Sequence, residues 1–241
     1  MLTGAADPAL LARDAATINS WHSDPLVLGD VTVLQVIAEI RRGGRQSLLP
    51  PGLHPTDPSA ISIQAWRIGE SPYGSFSFVH VRLSCRSGVR ARGLTTAAVA
   101  STGSAARGLS ERFGYPCRLG AVTLNAFYDG AHLTVDDSLV VAATNATPLG
   151  PEDVQYTGTM NLAHTPSGLR LVQVEPEFTA TRVDRLKARL ERFDSDAWGG
   201  PLVAPYFVVA GSVAHARVEI PPVRFVCRPD VSATEGTERA G

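Results

Sequence analysis

The sequence predicts one β-dominated domain, α+β in class, whose antiparallel strands close or nearly close on themselves, accompanied by two or three helices. Three observations predict it. About ten or more short runs rich in Val, Ile, Thr and aromatic residues succeed one another, most of them alternating apolar and polar positions. Turn dipeptides such as Ser87-Gly88, Asp129-Gly130 and Ser167-Gly168 punctuate them. No repeat and no linker divides the chain, so a single core of 241 residues with 44% apolar content is expected.

In chain order, Asp7-Pro8 opens a short amphipathic helix, Asp7 as N-cap and Pro8 at its first position, within an N-terminal arm over residues 1–28. Val31 to Ile40 reads as a strand with Gln35 on the face of Val33 and Ile37, followed by a polar turn over Arg41–Gln46 and a stiff loop at Leu48–Leu53. Ala60–Ile68 and Phe76–Ser84 are strands around the turn 69–74. In the second, Val79, Val81 and Leu83 share one face, and Phe76, Phe78, His80 and Arg82 the other. Val89–Ala100 follows, then a helix over Ser101–Phe113 capped by Ser101 or Thr102. Gly114 and Pro116 end it at a sharp corner.

Val122–Tyr128 and His132–Val135 form a hairpin, Ser138–Ala143 a strand, and Thr147–Glu152 a loop. Gln155–His164 and Leu169–Phe178 pair. Thr181–Phe193 has the spacing of a helix, with Val183, Leu186 and Leu190 on one face and a capping-box-like start at Thr181 and Asp184. Val203–Val209, Val213–Ile220 and Val223–Cys227 close the domain (29–228), and 229–241 reads as a flexible tail.

Composition removes several function classes. Net charge is −1 with no basic stripe, which speaks against nucleic acid and membrane surfaces. The N-terminus lacks the basic-then-apolar order of a signal peptide, and three cysteines without metal-like spacing suit a reducing cytoplasm. Six scattered histidines offer no metal site, and GxGxxG, GxxxxGK and GxSxG are all missing from the sequence, so no cofactor is expected. Of 22 basic residues only Lys187 is a lysine, and it falls among alternating charges that read as a solvated helix face.

Several blocks over residues 30–228 resemble the acetoacetate decarboxylase family. LLPPGL (48–53) is similar to its Val-Pro-x-Pro-Leu loop. GSFSF (74–78) stands where the family has an aromatic residue followed closely by glutamate. LSERFGYPCRLG (109–120) resembles its Gly-Arg-Glu-x-x-x-Tyr-Pro-Lys-Lys-Leu-Gly block, and VAHARVEIPPVRFVCRP (213–229) its closing strand pair. The resemblance implies a curved, barrel-like antiparallel sheet around a closed apolar cavity. In the family the first lysine of the pair forms a Schiff base with a β-keto acid, and the second lysine and the pocket lower its pKa. Here Cys117 stands at the first position and Arg118 at the second. Phe78, or Ser77 with a one-residue slip, stands for the glutamate, and the family's early arginine falls near Val31.

The resemblance therefore implies a divergent scaffold without iminium chemistry, since no matched position offers a desolvated amine. The residues that remain leave alternatives open. Cys117 is either a nucleophile or a small wall residue. Arg118 is a clamp for a carboxylate or enolate oxygen, a surface arginine, or an arginine paired with Glu111. Glu111 either orients Arg118 or transfers protons. His80 is the general-base candidate if its face lines the cavity. Trp66, Tyr73, Phe76, Phe78 and Tyr115 are candidates for the pocket wall. For Glu175, Glu219, His215 and Arg217 the sequence leaves inward or outward facing undecided. The expected ligand is a small or polyketide-like carbonyl compound, transformed by lyase, dehydratase, isomerase or cyclase chemistry in secondary metabolism, with a homo-oligomer as one assembly. The alternative is a non-catalytic binding protein using the same cavity.

Overall fold

A computed structural model describes residues 2–241 apart from Arg42, Gly44 and Gln155. Its strands are β1 (Ala16–Thr17), β2 (Leu26–Ile40), β3 (His54–Pro55), β4 (Ala60–Glu70), β5 (Phe76–Ser87), β6 (Arg90–Ala100), β7 (Cys117–Leu119) and β8 (Val122–Ala126). They continue with β9 (Gly130–Val135), β10 (Leu139–Leu149), β11 (Thr159–Thr165), β12 (Gly168–Val174), β13 (Glu177–Phe193), β14 (Pro205–Ile220), β15 (Phe225–Cys227) and β16 (Thr237–Arg239). Helices are α1 (Pro8–Leu11), α2 (Gly103–Phe113) and α3 (Ala233–Gly236).

All strands join one large sheet in the order β16-β15-β12-β11-β6-β5-β4-β2-β14-β13-β10-β9-β8, with β1, β3 and β7 attached at its side. The expected antiparallel arrangement holds for most pairs, but the sheet is mixed: β11 and β7 both run parallel to β6. For β7 the reason lies in α2. A strand that returns beside its predecessor through a helix comes back parallel, and β6–α2–β7 is such a crossover.

Local signals set α2 as expected. The Thr102 side chain accepts from Ala105 N, and Gly114 ends the helix with φ 72°. A Cβ at Gly114 would also lie 2.8 Å from Ala163 Cβ, so the residue is fixed by packing as well as by conformation. Gly108 inside the helix has its own reason: the Tyr73 ring lies where a Cβ would stand.

The chain departs from expectation most at 181–193, which is no helix. It is part of the 17-residue strand β13, paired with both β10 and β14. The segment RLKARLER satisfies two periods at once. Leu186, Ala188 and Leu190 point into the core at every second position, while Arg185, Lys187, Arg189 and Glu191 are exposed. Helix propensity is worth tenths of a kcal/mol per residue, and two flanking strands override it. Thr181 and Asp184 consequently cap nothing: Thr181 Oγ1 donates to His215 O, and Asp184 accepts from Arg182 Nε.

Three further segments differ. The expected loop at 147–152 is strand as far as Leu149. Beyond Thr144, β10 no longer has β9 as a neighbour, and such an edge tolerates Pro148. The two strands expected at 203–209 and 213–220 are one, β14. The tail at 229–241 carries α3 and β16, and β16 pairs with β15. The turn expected at Arg41–Gln46 includes Arg42 and Gly44, and the strand expected from Gln155 begins outside the described residues. Among the described residues no helix is long and apolar enough to cross a membrane.

The sheet buries both faces. One core holds Leu34, Val36, Ile61, Ile63, Val79, Val81 and Leu83. The other holds Val33, Trp66, Phe78, Ala98, Tyr115 and Ala214. The candidate site lies in the second.

Candidate functional site

Antiparallel and parallel registers carry one row of residues across seven strands. Arg185 of β13 faces Ser212 of β14, Ser212 faces Gln35 of β2, and Gln35 faces Gln64 of β4. Gln64 faces His80 of β5, His80 faces Ala98 of β6, and Ala98 faces Cys117 of β7. Facing partners in a sheet project their side chains to the same side, so this row is a consequence of register and not of loop placement.

Hydrogen bonds run along its middle. Gln64 Nε2 donates to Gln35 Oε1 at 2.6 Å, and His80 Nε2 donates to Gln64 Oε1 at 3.1 Å. With the amides so oriented the proton of the imidazole is on Nε2, and Nδ1 is left as a bare acceptor. That nitrogen is buried and has no partner among the described residues. Burial, helped by the neighbouring Arg82, holds the His80 pKa well below 6.5, so the ring is neutral at physiological pH.

Aromatic rings surround it. Trp66, Phe78 and Tyr115 have centroids 5.8, 5.0 and 5.4 Å from the His80 ring. Phe178 meets Trp66 edge-on at 5.6 Å, and Tyr156 stacks on Phe178 at 4.1 Å. The Trp66 indole N–H and the Tyr156 hydroxyl are buried and unpartnered. The Tyr115 hydroxyl has no well-formed hydrogen bond. Burial pushes its pKa up to about 12 against the opposing pull of Arg82 and Thr159, so it stays a protonated donor.

Arg82 adds a cation. It is 2% exposed, and its guanidinium donates to Thr157 O at 2.8 Å, Ser62 Oγ at 3.1 Å and Thr159 Oγ1 at 3.3 Å. None of these acceptors is charged, and its Nε is unpartnered. Burial lowers its pKa to about 10, which leaves the cation intact at neutral pH. A buried cation without a carboxylate partner is costly and retains a strong demand for negative charge.

The sequence-expected residues divide into two groups. Trp66, Phe78, His80 and Tyr115 converge. Tyr73 and Phe76 pair with each other at 6.3 Å near Gly108, away from the imidazole. Cys117 is on the row but half-buried, and burial raises its thiol to about 12 despite Arg118, so it is no thiolate at neutral pH. Arg118 alternates to the opposite side of β7 and donates to Asp136 Oδ2 at 2.7 Å, so its partner is Asp136 and not Glu111. Glu111 lies on the exposed side of α2.

Cys117 and Arg118 line a separate cleft of about 500 Å³ with Ser110, Pro116 and Asp196. The corner that carries them is held by Ser110 Oγ donating to Tyr115 O and Asn161 Nδ2 donating to Phe113 O. Gln35, Gln64, Arg82, Tyr156 and Phe178 were not singled out as site residues. The strict alternation of FSFVHVRLS was the available signal for Arg82, since it sets that residue on the His80 face. Among the described residues no three His, Cys, Asp or Glu side chains cluster as metal ligands.

No protein-family model and no curated protein matches the chain. Solved structures do. Acetoacetate decarboxylase from Legionella pneumophila is 16% identical with a TM-score of 0.69, over 86% of this chain and 88% of that one. The enduracididine biosynthesis enzyme MppR, complexed with the condensation product of pyruvate and imidazole 4-carboxaldehyde, is 18% identical with a TM-score of 0.64, over 83% and 88%. An acetoacetate decarboxylase-like enzyme from Sphingomonas wittichii RW1 is 17% identical with a TM-score of 0.65, over 84% and 93%. Strand content, topology and these likenesses agree: the chain has the acetoacetate decarboxylase-like fold.

Proposed function

We propose that the chain is an enzyme that acts on a small or polyketide-like carbonyl compound through enolate chemistry, without a Schiff base. The observation that carries this reading is the buried pair of a neutral His80 with a bare Nδ1 and an Arg82 cation that no carboxylate neutralises. In the proposed step His80 Nδ1 removes a proton from the carbon next to the carbonyl. Arg82 and the Tyr115 hydroxyl stabilise the charge that develops on oxygen, and the aromatic wall excludes water. The enolate then supports elimination, isomerisation or ring closure according to the substrate. Two findings support it further: the position matched to the Schiff-base lysine is Cys117, and a protein of this fold is known complexed with pyruvate.

The test is proton exchange with 2-oxohexanoate as probe in D₂O, followed by loss of the C3 proton signal in NMR. The wild-type chain should accelerate exchange over buffer. His80→Gln should abolish the acceleration, and Arg82→Met should reduce it by about 10²–10³. Borohydride added with the probe should leave no adduct on Lys187. Exchange that survives His80→Gln removes the assigned base. Saturable binding with no exchange by the wild type replaces this reading with that of a non-catalytic binding protein.

A further inference from the structure

The pairing of β13 with β14 ends at Leu186–Gly211. From there β13 continues along β10 alone, and the first residues of β14 continue along β2. The parting strands leave a half-open cleft of about 730 Å³ on the His80 side of the sheet. Its floor holds Gln35 and Ser212, each 7% exposed. Gln35 uses its carbonyl oxygen to receive Gln64, and among the described residues its amide nitrogen has no acceptor. Among the described residues that nitrogen and the Ser212 hydroxyl are donors without partners at the base of the cleft.

Arg185 and Lys187 stand on the same face of β13 above this floor, and among the described residues neither forms an ion pair. Lys187 is the only lysine in the chain. Asp153, in the turn at Pro151–Asp153 that packs against β13, is the one acidic group lining the cleft among the described residues, and it accepts from Gly150 N at 3.2 Å. The remaining wall is apolar, with Ile37, Leu149 and Val208 among its residues. Two cations against one acid, two unpartnered donors at the floor and aliphatic sides together suit a single negative charge on a short hydrocarbon chain.

We infer that this cleft is a binding site for a small monocarboxylate with an apolar tail, its carboxylate held by Arg185, Lys187, Ser212 Oγ and Gln35 Nε2. The site communicates with His80. Gln35 is at once a donor to the bound carboxylate and the end of the Gln35–Gln64–His80 chain, two strand spacings or about 10 Å from the imidazole. Occupancy fixes the Gln35 amide with its nitrogen toward the cleft. That orientation in turn holds Gln64 and keeps the imidazole proton on Nε2. The inference stands apart from the reaction proposed above, because binding is read without turnover.

The experiment uses hexanoate as probe and hexanamide as its neutral counterpart, titrated against the full chain by calorimetry. Hexanoate should bind saturably and hexanamide at least about tenfold more weakly. Arg185→Gln with Lys187→Gln, both exposed on the strand and checked for folding by thermal unfolding, should weaken hexanoate by at least about tenfold. Saturating hexanoate should shift the side-chain ¹⁵N resonances of His80 in the wild type and leave them unmoved in Gln35→Leu. The His80→Gln variant, whose amide can still donate to Gln64, should keep saturable hexanoate binding, weakened by less than about tenfold, so loss of proton exchange and loss of this site are separable results. Equal affinity for acid and amide, unchanged binding in the double variant, or no saturable binding of hexanoate each overturns the assignment.

Discussion

Strands β4 and β5 present two faces built from alternate residues of the same few positions, and the two have opposite characters. One face sets Ile61, Ile63 and Ala65 beside Leu83, Val81 and Val79, all buried and all aliphatic. The other sets Ser62, Gln64 and Trp66 beside Arg82, His80 and Phe78, all buried except the half-buried Ser62 but carrying, among the described residues, unpartnered His80 Nδ1, Arg82 Nε and Trp66 Nε1. Burial is therefore not the distinction. The aliphatic face gains from leaving water, while the polar–aromatic face pays a desolvation cost that a purely structural surface would avoid. Between adjacent residues of one strand, the aliphatic and the polar–aromatic surfaces are kept on opposite sides.

This contrast makes ordered predictions. Leu83→Ala on the aliphatic face should cost about 2–5 kcal/mol in urea unfolding, because a well-packed cavity wall cannot collapse around the lost atoms. Arg82→Met on the other face should cost less, about 1–3 kcal/mol from the stranded Thr157 carbonyl, partly offset by removing a buried charge. It should also speed hydrogen exchange at Gly93 N, which donates to Gly158 O beside the Arg82-held segment. Equal costs for the two variants would erase the distinction between the faces.

The third effect is one of pH. Folded His80 stays neutral far below 6.5, whereas the unfolded chain binds a proton near that value. Below it the unfolded state gains protons that the folded state refuses, so stability falls as pH drops from about 6.5 toward the folded pKa, by about 1.4 kcal/mol per unit for the single group. Melting curves of His80→Gln should lose this part of the acid slope, and identical slopes in the two proteins would contradict a buried neutral imidazole. The smallest effect on stability is expected at Cys117→Ser, below about 1.5 kcal/mol for a near-isosteric change at a half-buried position. Native Cys117 should likewise react with iodoacetamide at pH 8 roughly 100-fold or more slowly than a free thiol, given a pKa near 12.

Much of the site could be read from the chain. Alternation in FSFVHVRLS placed Phe78 and His80 on one face, and the stop at Gly114-Tyr115-Pro116 placed Tyr115 at a corner; only the fold sets that corner beside the two rings. Neither pattern names a partner. Gln35 and Gln64 stand 29 positions apart in the chain and become a hydrogen-bonded pair only because β2 and β4 align in that register. Arg118 and Asp136 are equally distant in sequence terms from any rule, and their pairing replaced the nearer Glu111.

What the sequence alone determined is what local physics decides. Thr102 caps α2, Gly114 ends it, Gly88 turns β5 into β6, and the β-rich alternation sets the class of fold. Tertiary structure decided the fate of 177–193, since Leu186, Ala188 and Leu190 fit a strand as well as Leu186 and Leu190 fit a helix, and only β10 and β14 on either side choose. It also decided that the polar row, from Arg185 to Cys117, exists at all. Backbone pairing across seven strands adds those contacts together, and no window of the chain contains more than a fragment of them.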